Sequence, residues 1–135
     1  MAEKIIVRTD NAPEAIGPYS QAVGFNGLFF FSGQIALDPN TGELVEGGVE
    51  IQTRQVMANI EAVLKAAGLE FSHVLRTTVY LKNMSDFGKV NAIYGAFFDE
   101  NPPARACVEV SRLPKDVLVE IDLIAAAPTG SSATE

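Results

Sequence analysis

The chain has 135 residues, 47% hydrophobic and 20% charged, the composition of one ordinary globular domain and not of a disordered segment. Ten basic against 17 acidic residues leave a net charge of −7, a field that opposes binding to nucleic-acid phosphates. A single Cys and a single His exclude an intrachain disulfide and a tetrahedral Cys/His zinc site, and the longest apolar run, Leu123 to Ala127, is far short of the ~20 residues of a membrane span.

The N-terminus, Met1-Ala2-Glu3-Lys4, lacks the basic and apolar leader of an exported protein, which points to a cytoplasmic one. Lys4 to Thr9, with Ile5, Ile6 and Val7, predicts a first short strand. Asn11-Ala12-Pro13 and Gly17-Pro18 then mark an irregular loop. Gln21 to Phe25 and Leu28 to Ser32 flank Asn26-Gly27, a strong hairpin signal. A turn cluster follows at Asp38 to Gly42, and Gly47-Gly48 closes the next loop.

From Ile51 the hydrophobic period becomes helical, with Val56, Ile60, Val63 and Ala67 in one stripe and Gly68 as the stop. Val74 to Lys82 predicts a β-branched strand. A second helix is expected from about Ser85 to Asp99, with Phe87, Val90, Tyr94 and Phe97 on one face, and Asn101-Pro102-Pro103 ends it. Ala104 to Val110 and Val117 to Ala125 predict the last strands. The order βββαβαββ describes an α+β domain over residues 1–128, with 129–135 a small, polar, disordered tail. Two helices on one face of such a sheet leave the other face partly uncovered, so a homo-oligomer is expected.

Alternation along the last two strands gathers the polar groups. Arg105, Cys107 and Glu109 share one face of their strand, the other face being wholly apolar; Glu120 and Asp122 share the even face of theirs. A hairpin centred between Leu113 and Pro114 would set Cys107 opposite Glu120 and Arg105 opposite Asp122, and a longer or bulged connection would shift that register. Two readings of the cluster are open. One is the solvated face of an antiparallel sheet with cross-strand ion pairing. The other is a small-anion site, in which the planar fork of arginine matches a carboxylate and a neighbouring carboxylate holds or deprotonates a water. A Cys107–His73 dyad is a weaker alternative, because nothing in the spacing brings His73 to Cys107.

Pro103-Ala104-Arg105-Ala106-Cys107-Val108-Glu109-Val110, followed by Leu113-Pro114 and Val119-Glu120-Ile121, resembles the C-terminal signature of the Rid (YjgF-type) family, and most of all its RidA-like branch of 2-iminobutanoate/2-iminopropanoate deaminases. The resemblance continues upstream in Gly17-Pro18-Tyr19-Ser20-Gln21-Ala22, Phe31-Ser32-Gly33-Gln34-Ile35, Gln55 to Ile60, Val79-Tyr80-Leu81 and Asn91 to Tyr94, and so spans about Ile5 to Pro128. It implies a chorismate-mutase-like fold, assembled as a trimeric barrel with active sites between subunits. The implied reaction is cofactor- and metal-free hydrolysis of 2-imino or enamino acids, supplied by pyridoxal-phosphate dehydratases, to 2-keto acids and ammonia. By the same resemblance Arg105 clamps the substrate carboxylate, Glu120 positions and activates water, and Tyr19 closes the cleft. Gly33 leaves room for substrate, the Cys107 backbone orients ligand or water, and Asn91 is a further polar contact. Two rival functions stand beside it: an endoribonuclease or translation inhibitor, which the acidic charge disfavours, and a non-enzymatic trimer that binds small carboxylates or client proteins.

Overall fold

A computed structural model describes residues 3–98 and 100–128, so the tail expected at 129–135 lies outside the described residues. The strands are β1 (Ile5–Val7), β2 (Ala22–Phe25), β3 (Leu28–Gln34), β4 (Val74–Leu81), β5 (Ala104–Glu109) and β6 (Val119–Ala126), and the helices are α1 (Val49–Ala66) and α2 (Phe87–Gly95). They occur in the order βββαβαββ. A single six-stranded mixed sheet, ordered β1-β2-β3-β6-β4-β5, carries both helices on one face.

Local chemistry sets the ends of most elements. The β2–β3 turn holds Asn26 and Gly27 at φ 54° and 82°, the left-handed pair that a tight hairpin needs and that Asn-Gly tolerates best. At the end of α1, Leu69 N–H donates to Leu64 O (2.8 Å) and Gly68 N–H to Lys65 O (2.9 Å), with Gly68 at φ 78°. That is a Schellman closure, in which glycine avoids a Cβ clash. The second helix is shorter than the expected Ser85–Asp99. A 3-10 turn at Met84–Asp86 precedes it, and Glu109 takes the Met84 N–H (2.7 Å). At the far end, the chain leaves α2 so that Phe97 and Phe98 can pack on Phe71, with ring centroids 5.2 and 5.4 Å apart.

The expected β5–β6 hairpin does not form. β5 runs parallel to β4 at the sheet edge, with Thr77 beside Arg105 and Val79 beside Cys107. β6 lies between β3 and β4, antiparallel to both, so Tyr80 faces Glu120 and Thr78 faces Asp122. Because β4, α2 and β5 form a strand–helix–strand crossover, β5 must pair in parallel with β4. The more apolar β6 takes the central position, where both of its edges bond.

The core lies between sheet and helices. Val119, Ile121, Leu123 and Ala125 of β6, Val79 and Leu81 of β4, and Phe29 and Phe31 of β3 meet the α1 stripe of Val56, Ile60, Val63 and Leu64. Two buried amides tie α1 to the sheet: Gln52 Oε1 accepts from Leu118 N–H (2.9 Å), and Asn59 Nδ2 donates to Ile35 O (3.2 Å) and Leu37 O (3.0 Å). Gln55 in turn donates to Asn59 Oδ1 (2.9 Å). Asn59 is only 1% exposed, so Asn59→Leu takes the side-chain partner from Leu37 O and from the Gln55 amide, while Ile35 O keeps the N–H of Leu37. A loss of about 2–4 kcal/mol is expected, read as a lower urea midpoint with unchanged m-value.

The face of the sheet away from the helices is open. Ile6, Phe25, Leu28, Phe30 and Val108 are 55, 46, 40, 49 and 42% exposed and belong to that face by the strand register. The Phe29-Phe30-Phe31 run is thus split: its outer members enter the core and Phe30 faces outward.

Candidate active site

Register places the candidate residues on two faces of the sheet. Arg105 and Cys107 are level with Thr77 and Val79, on the helix side; Glu120 and Asp122 are level with Tyr80 and Thr78, on the open side. The expected gathering of Arg105, Cys107, Glu120 and Asp122 on one face is therefore wrong within a single chain. The polar side of β5 lies under α2, and its apolar side, Ala104, Ala106 and Val108, faces outward.

Arg105 sits at the sheet edge with its guanidinium carbon 5.4 Å from the Phe87 ring centre and 5.0 Å from that of Tyr94. Its Nη1 donates to Asn91 Oδ1 at 2.7 Å. Phe87, Asn91 and Tyr94 follow the i, i+4, i+7 spacing of one helix face, so α2 presents two aromatic walls and an amide stop. Tyr94 is itself anchored by a 2.7 Å hydrogen bond with Thr77, and burial pushes its phenol up, which keeps the proton on. The cation is pre-oriented while it remains exposed. With Asn91, Tyr94, Gly95, Phe98, Pro102 and Pro103 it lines an open cavity of ≈ 430 Å³.

Cys107 is half-buried beside it. Burial pushes its thiol up, and the nearby Arg105 offsets this only in part, which disfavours a thiolate nucleophile. His73 takes no part here: its Nδ1 accepts from Glu70 N–H (3.0 Å), and it lies just before β4, six residues ahead of Cys107's partner Val79, about 20 Å along the strand. The Cys107 backbone is better placed. Val110 N–H donates to Leu81 O (2.9 Å), so strand alternation turns the Cys107 N–H away from β4, toward the open edge.

Glu120 and Tyr19 share a second cavity, of ≈ 600 Å³, with Ile16, Gly33, Ile35 and Lys115. Burial, and then the charge of Asp122, push the Glu120 carboxyl up from its ordinary value. Gly33 gives the carboxylate its room: a Cβ there would collide with Oε2 and lie 2.9 Å from Cδ. Tyr19 is 53% exposed, which excludes a packed structural aromatic. Its loop is tethered by Gln21, whose side chain accepts from Thr9 N–H (2.7 Å) and donates to Pro13 O (2.8 Å). Ser32 Oγ donates to Ser20 O (2.6 Å), which fixes that loop to β3 beside Gly33. Asp122 accepts from Tyr80 Oη (3.0 Å), not from Arg105.

Sequence reasoning missed Phe87, Tyr94 and Tyr80 as supports of the polar groups. The signal for the first two is Asn91, a lone amide in an apolar helical stripe. Among the described residues no three His, Cys, Asp or Glu side chains cluster as a metal site, and no helix is long and apolar enough to cross a membrane.

Fold and site together define a class: a single-sheet α+β protein with an arginine in an aromatic cavity on its helix side and a half-buried carboxylate beside a glycine on its open side. The family model described as Endoribonuclease L-PSP matches residues 9–127, and the chain belongs to that family, the Rid (YjgF) family. A RutC family protein of Synechocystis is 57% identical over 126 residues, covering 92% of this chain and 97% of its own. A Rid-family structure from Yersinia pestis, YyfA, superposes with a TM-score of 0.91 at 50% identity, covering 93% of this chain and all of that one. E. coli TdcF, solved with bound serine, gives a TM-score of 0.87 at 42% identity, over 92% of this chain and 99% of its own.

Proposed function

We propose that the protein is a hydrolytic deaminase of 2-imino and enamino acids, such as 2-iminobutanoate and 2-iminopropanoate, which it converts to 2-keto acids and ammonia. The observation that carries this reading is the separation of Arg105 and Glu120. Each opens onto its own cavity on an opposite side of one sheet, which fits a site completed by a second copy. A homotrimer with clefts between subunits supplies that copy. It also covers the exposed Ile6, Phe25, Leu28 and Phe30 on the open face. The serine held by TdcF is a small molecule with the same α-carboxylate as the proposed substrates.

In the assembled cleft the Arg105 fork takes the substrate carboxylate through paired charge-assisted hydrogen bonds, each worth roughly 1.5–3 kcal/mol. Rings on both sides and the Asn91 stop fix its orientation before substrate arrives. The outward N–H of Cys107 orients the ligand near C2. Glu120 accepts a proton from a water, and the oxygen adds to C2 of the protonated imine. That proton then passes to the amino group of the tetrahedral adduct, and as the C–N bond breaks the freed Glu120 carboxylate takes the hydroxyl proton, so that the C=O forms and ammonia leaves. A protonated imine is already electrophilic, so positioning and one general base suffice, with no cofactor or metal. Tyr19 closes the cleft, and Gly33 keeps the Glu120 carboxylate free to turn. Such reactive imines arise where pyridoxal-phosphate dehydratases act on threonine or serine, which places the protein beside them in the cytoplasm.

The family description favours a second reading, cleavage of RNA. Against it stand a net charge of −7 and only 10 Lys and Arg. A threonine dehydratase generating 2-iminobutanoate in the cuvette separates the two. Faster keto-acid release than the spontaneous reaction is expected, and no acceleration sinks the deaminase. RNA cleavage that persists through repeated purification would promote the rival.

A further inference from the structure

Asp122 has no role in the reaction just described, yet it is the polar group nearest the proposed base along the strand. It lies two residues from Glu120 on the same face of β6, about 7 Å away. Tyr80 is level with Glu120 on the adjacent strand and reaches back to donate its phenol to Asp122 Oδ2 at 3.0 Å. Two half-buried carboxylates and one phenol thus form a triangle on the central strands, where the backbone is bonded on both edges and cannot easily shift.

We propose that Asp122 and Tyr80 are positioning residues for Glu120: the phenol anchors the Asp122 carboxylate beside the base, and that carboxylate acts on Glu120 as a fixed neighbouring charge. A hydrogen bond from a neutral donor favours the charged form of an acid, and a like charge nearby strengthens the base beside it. Burial and the two carboxylates push the Tyr80 phenol up, so it keeps its proton and stays a donor. The same charge contributes to raising the Glu120 carboxyl. The other groups around Glu120 are Glu14, Tyr19 and Lys115, which line its cavity, and Arg76, which lies beyond Thr78 on the same face of β4. None of these has a hydrogen bond or ion pair to Glu120 or Asp122, and Tyr80 is level with the base while bonded to its neighbour's carboxylate.

The role rests on the deaminase reading for its kinetic test but not for its titration test. Asp122→Asn keeps the shape and removes the charge. Glu120 then ionises more readily, the acid limb of kcat against pH moves to lower pH, and the alkaline plateau falls roughly 3- to 10-fold because the base is weaker. Tyr80→Phe keeps the ring and removes the donor. The doubly ionised pair is then harder to reach, and the same limb moves to higher pH. Asp122→Glu, which retains the charge, holds the limb near that of the wild type. The Glu120 carboxyl, followed by NMR without substrate, titrates in the same opposite directions. Shifts in one common direction, or none, overturn the proposal. If no variant or wild type hydrolyses imines while the Glu120 titration still splits in opposite directions, the cluster stands and the deaminase reading falls.

Discussion

Arg105→Ala and Glu120→Gln are each expected to abolish imine hydrolysis, and co-expression of the two inactive chains is expected to restore about a quarter of wild-type activity. The single losses follow from chemistry. Removing the guanidinium forfeits a paired charge-assisted contact, about a hundredfold or more in kcat/KM. Removing the base costs roughly 10²- to 10⁴-fold. The recovery follows from topology. In one chain Arg105 lies on the helix side of β5 and Glu120 on the open side of β6, two strands away. If each cleft takes its arginine from one subunit and its glutamate from the next, random assembly in equal amounts pairs two intact groups at about one interface in four. Those clefts are wild type. If both groups served from the same chain, every cleft would lack one of them and nothing would return. The experiment needs only an activity measurement at matched chain concentration, with each variant alone as its background.

The same topology shows where the sequence was readable. The order of elements follows from periodicity and turn chemistry, since Asn26-Gly27 and Gly68 sit where their left-handed backbones are needed. The RidA-like motifs mark Arg105, Glu120, Tyr19, Gly33, Cys107 and Asn91, all of which line cavities or edges. Pairing was not legible from alternation, because alternation separates the two faces of a strand without saying which neighbour it has. At β5 the wholly apolar side, Ala104, Ala106 and Val108, faces outward, while Arg105 lies against Phe87 and Tyr94 under α2. An apolar face that one chain leaves open looks, in sequence, like an interior. The strand–helix–strand order of β4, α2 and β5 was the better guide, since that unit pairs its strands in parallel. The Tyr80–Asp122 bond was beyond pattern reading, because it depends on which strand lies beside β6.

Gly33→Ala is expected to lower kcat/KM by about a hundredfold while leaving the fold intact. The backbone of Gly33 is not in the left-handed region, so alanine adds no conformational strain there. What it meets is the base itself: the new Cβ would collide with Oε2 of Glu120 and lie 2.9 Å from Cδ and 3.2 Å from Cγ. A backbone neighbour could not yield, but a carboxylate at the end of a side chain can swing away. Folding therefore survives, and the water that Glu120 should hold is lost with its geometry. The melting temperature separates this from a packing defect, since a core clash would lower both stability and rate. A double-mutant cycle makes the contact explicit. Glu120→Asp withdraws the carboxylate by one methylene, so in that background the alanine has little left to strike. The hundredfold penalty of Gly33→Ala should then shrink to a few-fold, a coupling that only residues in contact produce. An equal penalty in both backgrounds would place the cost of the alanine somewhere other than Glu120, and with it the reason for a glycine at this position.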